Sequence, residues 1–307
     1  MALRYNREQL VCQSVIGEIT SPLGSANPYR IDPAGRADIY PGVGGITYNL
    51  RIGDPARGLF ADHVEPGVSI SNLAMVQNQP GPNRALNLFS CVGNVAVVVS
   101  GDAKGARGRV TGKHGGIEHV LVDFDAEILD HLVIGDKIQV RAYGCGLRLL
   151  DFPEIKVLNL DPALLEVMDL RPLADGRLEV GVTHVVPARI MGSGIGAMQS
   201  NTGDYDIQLF DEPTVAEFGL DDLRLGDLVA IQDADASYGR IYKTGGVIVG
   251  VVVHSDCVIA GHGPGVMVAM SSAGGHIVPR IDPDANLAVL FAKLGPLSSS
   301  QQLSPGA

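Results

Sequence analysis

The sequence contains no tryptophan, and aromatic residues make up only 5% of its 307 positions. Its four cysteines are scattered and form no C-x-x-C pair, so we expect reduced, buried thiols in a cytoplasmic protein. No basic stretch with interleaved aromatics occurs and the net charge is −11, which argues against nucleic-acid binding. The apolar runs are short and broken by glycine, and the N-terminus lacks an apolar core, so neither a membrane span nor a signal peptide is predicted.

Glycine is abundant instead, with 39 residues spread along the chain, as is typical of many tight turns between short strands. Alternating or continuous apolar segments bounded by Gly, Asp or Pro predict strands. These segments are 95–101, 119–124, 136–144, 177–186, 227–233 and 245–254. The last of them, GGVIVGVVVH, is β-branched almost throughout and is predicted to be buried on both faces.

Helix signals are few. Asp161 and Pro162 open one short helix as N-cap and first residue, and 212–223 is a second candidate. The expected fold class is therefore mainly β, built of β-rich barrel or sandwich units with a few short helices. We predict an N-terminal β-rich domain over 1–150 that includes a small-barrel-like hairpin at 101–116. A C-terminal β-rich domain over 151–295 and a frayed tail over 296–307 would follow.

Polar groups are concentrated among glycines in four stretches: ADHVEPGVSISN (61–72), GKHGGIEHV (112–120), MGSGIGAMQSNTGDYDIQ (191–208), and DADASYGR (233–240) together with HSDCVIAGHGPGV (254–266). Catalytic and binding groups favour such loops. In GDYDIQ, Asp204 and Asp206 fall on one strand face, where two buried carboxylates need a cation or solvent. Asp233 and Asp235 repeat this spacing, and a solvated surface is the alternative interpretation for each pair.

The segment from His254 to Val266 combines two histidines, a carboxylate and a thiol. Imidazole with carboxylate is a metal environment, and it also suits an acid/base pair. The glycines around His262 are expected to present its ring. Strand alternation is expected to turn Cys257 away from His254 and Asp256, so Cys257 is interpreted as a buried thiol.

Six motifs together resemble the DUF4438 family, which has no assigned activity. They are PGVGGITYNLRIGD, ADHVEPGVS, AKGARGRVTGKHGGIEHVLVDF, MGSGIG with GDYDIQ, GDLVAIQDADASYGR and VVVHSDCVIAGHGPGV. The resemblance implies a mainly β cytosolic prokaryotic protein. LGDLVAIQDADASYG (225–239) is also similar in outline to the acetamidase/formamidase family, where Val229 replaces the histidine of that family. This likeness raises amide hydrolysis as a class.

We therefore expect a divalent-metal-dependent hydrolase or lyase that uses Zn²⁺, Mn²⁺ or Mg²⁺ on a small polar amide-like or carboxylated metabolite. For a hydrolase, the expected type is an amidohydrolase acting on C–N bonds. The expected metal ligands are Asp204, Asp206 and His254, the expected catalytic residues are His119, Asp256 and His262, and the expected substrate-binding residues are His63, His114, Arg240 and Gly263.

Two alternatives stay open. The first is a metal-free β-rich binding or structural homo-oligomer, in which these motifs are turns and subunit contacts. The second is a metal-free enzyme that depends on acid/base chemistry or on Cys257. The expected partners are a small-molecule substrate and further copies of the chain, with no nucleic acid and no membrane.

Overall fold

The computed structural model describes residues 3–24 and 27–297. The predicted fold class is confirmed, because strands dominate and the helices are few and short. The strands in the described ranges are β1 Gln13–Ile19, β2 Arg30–Ile31, β3 Ala37–Asp38, β4 Ile46–Thr47, β5 Gly67–Ser71, β6 Val95–Val98, β7 Arg107–His114, β8 His119–Asp123, β9 Lys137–Ala142, β10 Lys156–Val157, β11 Leu170–Pro172, β12 Leu178–Val182, β13 His184–Pro187, β14 Tyr205–Asp206, β15 Leu228–Asp235, β16 Ile241–Val252, β17 Gly265–Ser272 and β18 Ile277–Ile281.

The first sheet closes into a barrel. Its strand order is β1-β9-β6-β7-β8-β5, with β4 appended to β5, and the additional pairing of β1 with β5 completes the ring. Neighbouring strands are antiparallel, as in the register of Val68 opposite Val122. Inward side chains such as Ile70, Val110 and Val140 are fully buried and fill the barrel. The 101–116 segment forms the loop and strand that follow β6 in this barrel.

The second sheet has the order β10-β17-β16-β15-β13, and β14 pairs with β17. Along β15, Leu228 and Ala230 pack into one apolar cluster while Val229 and Ile231 pack into another. Successive side chains of a strand face opposite sides, so this sheet is covered on both faces. The prediction that 245–254 is buried on both faces is confirmed for 246–252 of β16, whereas Gly245 is exposed and the strand ends at Val252.

The predicted strand over 177–186 is in fact two strands in different sheets. β12 pairs with β11 and β18, whereas β13 pairs in parallel with β15. The backbone N–H of Thr183 donates to Leu228, so the chain changes partner there. Because β12 and β13 both contribute to the apolar core, apolar residues continue to alternate across the change of sheet. The sequence pattern therefore does not reveal where one strand ends and the next begins.

The helices of the described residues are α1 Gly81–Phe89, α2 Ala126–Leu129, α3 Pro162–Val167, α4 Glu212–Phe218 and α5 Leu287–Leu294. α3 begins as predicted, since the Asp161 carboxylate accepts from the N–H of Ala163. α4 ends earlier than predicted because Gly219 adopts φ 60, a left-handed C-cap. α1, α2 and α5 were not predicted. No helix among the described residues is long and apolar enough to cross a membrane.

Barrel strands lie within 13–142 and second-sheet strands within 156–272. The two sheets meet where β7 contacts β17. A Cβ on Gly112 would lie 2.2 Å from Val253 Cγ1, and one on Gly203 would lie 2.5 Å from Gly115 Cα. Glycine at these positions lets the end of the β7–β8 hairpin approach the loop before β14. From residue 298 the predicted tail lies outside the described residues.

Candidate metal centre

Four of the predicted polar stretches meet at this junction. His114 is the last residue of β7 in the barrel and Asp206 the last of β14 in the second sheet. The others lie in loops: His63 before β5, Asp204 before β14, and His254 and His262 between β16 and β17. Ring centroids of His114 and His254 are 4.3 Å apart, and those of His63 and His262 are 5.0 Å apart. Residues distant in sequence therefore form one cluster, in which two groups can be distinguished.

The first group consists of His114, Asp204 and His254, all buried. One potential ligand atom from each lies within 4.8 Å of the other two. His114 Nδ1 is 2.5 Å from Glu65 Oε1, and Asp204 Oδ1 accepts from the N–H of Gly115 at 2.7 Å. His114 Nε2 and Asp204 Oδ2 are thereby left for another partner. Such outer contacts orient metal ligands in many proteins.

Two buried atoms of this group face each other without a hydrogen bond. His254 Nδ1 is 2.8 Å from the carbonyl of Ser255, and a carbonyl only accepts, so Nδ1 carries the proton of the neutral ring. His254 Nε2 is then an acceptor, yet it lies 2.8 Å from Asp204 Oδ2. Neither atom has a hydrogen-bond partner among residues 3–24 and 27–297. Two acceptors in such contact need a positive charge between or beside them, which either a second proton on His254 or a bound cation supplies.

Glu65 anchors the group from behind. Its fully buried carboxylate accepts from the N–H of Gly44 at 2.7 Å and from Ser69 Oγ at 2.5 Å, besides the contacts to His114 and His119. Burial opposes ionisation, but the hydrogen bonds from His114 and His119 hold the pKa of Glu65 well below its usual range. Glu65 is therefore a permanent carboxylate that fixes the tautomer of His114.

Gly265, the first residue of β17, leaves the space that the group occupies. A Cβ there would lie 1.8 Å from Asp204 Oδ2 and 2.2 Å from His254 Nε2. Any side chain at this position would fill the point that both atoms face. The last glycine of GHGPG, Gly265, therefore leaves space for the site and is not explained by the turn.

The second group consists of His63, Asp206 and His262. His63 Nε2 is 3.1 Å from His262 Nδ1, which is itself 3.1 Å from Asp206 Oδ2. Although burial opposes protonation, the Asp206 carboxylate, 3.7 Å from Nε2, and the hydrogen bond to Asp62 raise the pKa of His63 to about 12. His63 also adopts φ 55, a left-handed backbone that is rare for a non-glycine residue and recurs at functional sites.

Both groups open onto a cavity of about 470 Å³. Its other lining residues are Gly115, Gly116, Glu118, Ser193, Gly194, Ala197, Met198, Gln199, Thr202 and Arg240. A larger cavity of about 870 Å³ lies elsewhere, between β7 and α5, and no histidine or cysteine is among its described lining residues. Ligand chemistry therefore favours the smaller cavity as the functional one.

Family models match nearly the whole chain. One described as "Domain of unknown function (DUF4438), N-terminal" matches residues 29–166, and its C-terminal counterpart matches residues 168–291. The chain belongs to the DUF4438 family. The resemblance seen in the motifs is thus confirmed.

A solved structure is similar to this DUF4438 protein over almost its full length. It is described as "Crystal structure of TM1086", with 47% sequence identity and a TM-score of 0.87. The alignment covers 93% of this chain and 98% of that chain. No curated protein matches significantly.

Most residues predicted for the site lie in it, although some have other contacts than expected. His114, expected to bind substrate, lies among the candidate metal ligands. Arg240 lines the cavity, and its guanidinium donates to the carbonyls of Gly194 and Thr202 at 3.3 and 3.1 Å. The N–H of Gly263 is 3.3 Å from Asp206 Oδ2.

Two residues predicted to be catalytic stand behind the cavity. His119 contacts Glu65 at 3.0 Å and does not line the cavity. The carboxylate of Asp256 accepts from the N–H of Gly58 at 3.0 Å, and burial raises its pKa. The expected shared face of His254 and Asp256 does not exist, because the strand ends at Val252 before either residue.

Cys257 follows the same strand end, so strand alternation does not orient it. It is buried, as expected, and its thiol donates to Asp62 Oδ1 at 2.8 Å. Its sulfur also lies within 4.8 Å of ligand atoms of His63 and His262. Burial raises the pKa of Cys257 to about 11, which keeps the thiol protonated at neutral pH.

Glu65 and Gly265 are the residues that the sequence-based prediction missed. Glu65 lies in a stretch that was singled out, two positions after His63, and its charge beside the apolar strand β5 was the available signal. No sequence pattern pointed to Gly265, because its role depends on where the fold places Asp204 and His254.

Proposed function

We propose that this protein is a divalent-metal-dependent hydrolase, with a metal ion held by His114 Nε2, Asp204 Oδ2 and His254 Nε2. The observation that carries the proposal is the pair of buried acceptors, Asp204 Oδ2 and His254 Nε2, 2.8 Å apart without a hydrogen bond. Three ligands from the protein leave a coordination position open, as in catalytic rather than structural zinc sites.

The donor set favours Zn²⁺ or Mn²⁺ over Mg²⁺. Imidazole nitrogens suit zinc and other transition metals, whereas Mg²⁺ prefers oxygen ligands and retains several waters. His114 and His254 each hold the non-ligating nitrogen against an oxygen acceptor, Glu65 and the Ser255 carbonyl. This arrangement supports a preformed site for a borderline transition metal.

A bound divalent ion would supply a water of lowered pKa as nucleophile. On the cavity side, Asp206 and His262 offer proton acceptors, whereas the raised pKa of His63 keeps that ring protonated. In a scheme with one ion, Asp206 or His262 would take the proton from that water. Asp206 Oδ1 lies 3.8 Å from His254 Nε2 of the first group.

The cavity supports a small polar substrate, amide-like or carboxylated. Its volume of about 470 Å³ is in the range of small-molecule sites. Thr202, Gln199 and Ser193 offer hydrogen bonds, and Gly115 and Gly116 permit close approach to the backbone. Arg240 lies on the same wall, where a cation can orient a substrate carboxylate.

Metal analysis of the purified protein tests the proposal. We expect at least one equivalent of Zn or Mn by mass spectrometry, and a fall in thermal stability after chelation. His254→Ala and His114→Ala should lose the metal, while the exposed His131→Ala should keep it. The proposal would be contradicted if the purified protein held no metal and if neither chelator nor added metal ions changed its thermal stability. That result would favour a metal-free binding protein. A hydrolase screen with amides and carboxylated metabolites then addresses the substrate.

A further inference from the structure

We infer that His63 Nε2, His262 Nδ1 and Asp206 Oδ2 hold a second divalent cation, so that Asp206 bridges two ions. This inference rests on the proposed function, because it adds a second ion beside the first. The cluster then becomes a two-metal hydrolytic centre.

The three donor atoms have the spacing that a metal requires. The separations are 3.1 Å from His63 to His262, 3.1 Å from His262 to Asp206 and 3.7 Å from His63 to Asp206. Tetrahedral ligands at metal distances of about 2.0–2.1 Å lie about 3.3–3.4 Å from one another. One cation can therefore reach all three atoms with small adjustments.

The surroundings orient these donors toward one point. His63 Nδ1 is 3.2 Å from Asp62 Oδ1, which leaves Nε2 to face the cavity. Asp62 is itself fixed by the N–H of Val258 at 3.2 Å and by the thiol of Cys257. This is the carboxylate–histidine arrangement that His114 makes with Glu65, repeated in the second group.

Asp206 connects the two groups. Its Oδ1 lies 3.8 Å from His254 Nε2, while its Oδ2 faces His262 and His63. A carboxylate with one oxygen toward each group can bridge two ions about 3.5–4 Å apart, the separation found in two-metal hydrolases.

The negative charge of the cluster also accommodates a second cation. Asp62, Glu65, Asp204 and Asp206 are all buried carboxylates. Arg240 donates to backbone carbonyls, and Arg30 reaches only Asp62, at 3.5 Å. One divalent ion would leave an excess of negative charge in a low-dielectric site, which a second ion or a proton on His63 must balance.

A second ion would change the chemistry of the site. A water bound between two cations loses its proton more readily than one bound to a single ion, and the leaving group can be stabilised by the second ion. His63 and His262 would then act as ligands rather than as a general base. The proton of the bound water would then pass to solvent in the cavity, and no side chain of the second group would need to accept it.

Reconstitution with Mn²⁺ distinguishes this inference from the proposed function. We expect about two Mn²⁺ per chain by mass spectrometry and an exchange-coupled electron paramagnetic resonance spectrum, as for ions about 3.5–4 Å apart. His262→Ala should reduce the content to one ion with an uncoupled six-line spectrum. His131→Ala should retain two coupled ions.

Each other outcome has a defined meaning. One ion per chain that survives His262→Ala would overturn the second site and leave the first intact, whereas no bound ion would overturn both. Two ions that both survive His262→Ala would overturn the ligand assignment. Should the variant fail to fold by circular dichroism, X-ray absorption of the zinc-loaded wild-type protein decides. A metal–metal distance is then expected, and its absence overturns the inference.

Discussion

Two pairs of aspartates share the D-x-D spacing but have opposite environments. Asp204 and Asp206 are buried at β14 and lie against the rings of His254 and His262. Asp235 accepts from the hydroxyls of Ser271 and Ser237, both at 2.7 Å. Asp233 sits at a bulge in β15 with φ 59 and accepts from the N–H of Gly245 at 2.8 Å.

The difference lies in the partners rather than in burial. Asp235 is 8% exposed and Asp204 is 6% exposed, so both carboxylates leave water on folding. Asp235 Oδ1 accepts from both hydroxyls and from the N–H of Ser237, so the protein itself supplies the partners of this oxygen. Asp204 Oδ2 lies 2.8 Å from His254 Nε2 without a hydrogen bond, and in the proposed site a cation completes its environment.

The largest expected effect comes from Asp204→Asn. It removes a candidate ligand. Loss of a residue that only orients a ligand typically lowers metal affinity by about 10- to 100-fold, so loss of a ligand itself should lower the affinity for Zn²⁺ or Mn²⁺ by roughly 100-fold or more. Without metal the variant should be no less stable than wild type, because the new amide can donate to His254 Nε2. Titration calorimetry and thermal unfolding in chelator measure both quantities.

Asp235→Asn is the matched change. It should leave metal affinity unaltered and lower stability by about 1–3 kcal/mol, because hydrogen bonds to a buried charge are weakened. The contrast between the two aspartate pairs would be refuted if Asp235→Asn lost metal affinity or if Asp204→Asn bound metal with wild-type affinity.

Gly265→Ala blocks the site without altering a ligand. Its methyl would lie 1.8 Å from Asp204 Oδ2, so we expect a loss of metal affinity of about tenfold or more, with strain in β17. Gly81→Ala, where no atom lies within 4 Å of the new Cβ, is the control. Equal affinity in wild type and Gly265→Ala, measured by calorimetry, would refute the position assigned to the ion.

Glu65→Gln tests the orientation of His114. The amide keeps the shape but loses the charge that fixes the imidazole, and metal affinity should fall by about 10- to 100-fold. The exposed Glu127→Gln should change nothing. Unchanged metal affinity in Glu65→Gln would mean that His114 does not ligate the ion.

Asp233→Asn is expected to have the smallest effect. Asparagine tolerates a left-handed backbone and keeps an oxygen for Gly245, so the change in stability should stay within about 0.5 kcal/mol. Thermal unfolding provides the measurement. A loss of several kcal/mol would show that the charge of Asp233, and not only its conformation, supports the bulge.

Much of the fold follows from local pattern. Strand alternation around Val95 and His119 and the Asp161–Pro162 helix start were predictable because each depends on neighbours within a few residues. The change of sheet at Thr183 was not predictable, because the strands before and after it both contribute to the apolar core and continue the same apolar alternation. The helix α5 was missed as well, although Asn286 caps it by accepting from Ala288 N–H at 2.8 Å.

The site was predicted in its composition but not in its contacts. His63, Asp204, Asp206, His254 and His262 were named from their glycine-rich stretches, and the structure brings them together. His119 and Asp256 were misplaced because strand alternation gives the direction of a side chain only while the strand continues. Glu65 and Gly265 have their roles through contacts with residues that are distant in sequence, so local patterns did not identify them.

By itself the sequence determined a mainly β protein with histidines and carboxylates on glycine-rich loops, because period-two burial and turn chemistry are local properties. Only the tertiary structure decided which of those groups share a cavity, and that Asp204 rather than Asp235 is left facing an acceptor. A metal site is a matter of a few ångströms between donor atoms, and those distances are set by the docking of the barrel against the second sheet.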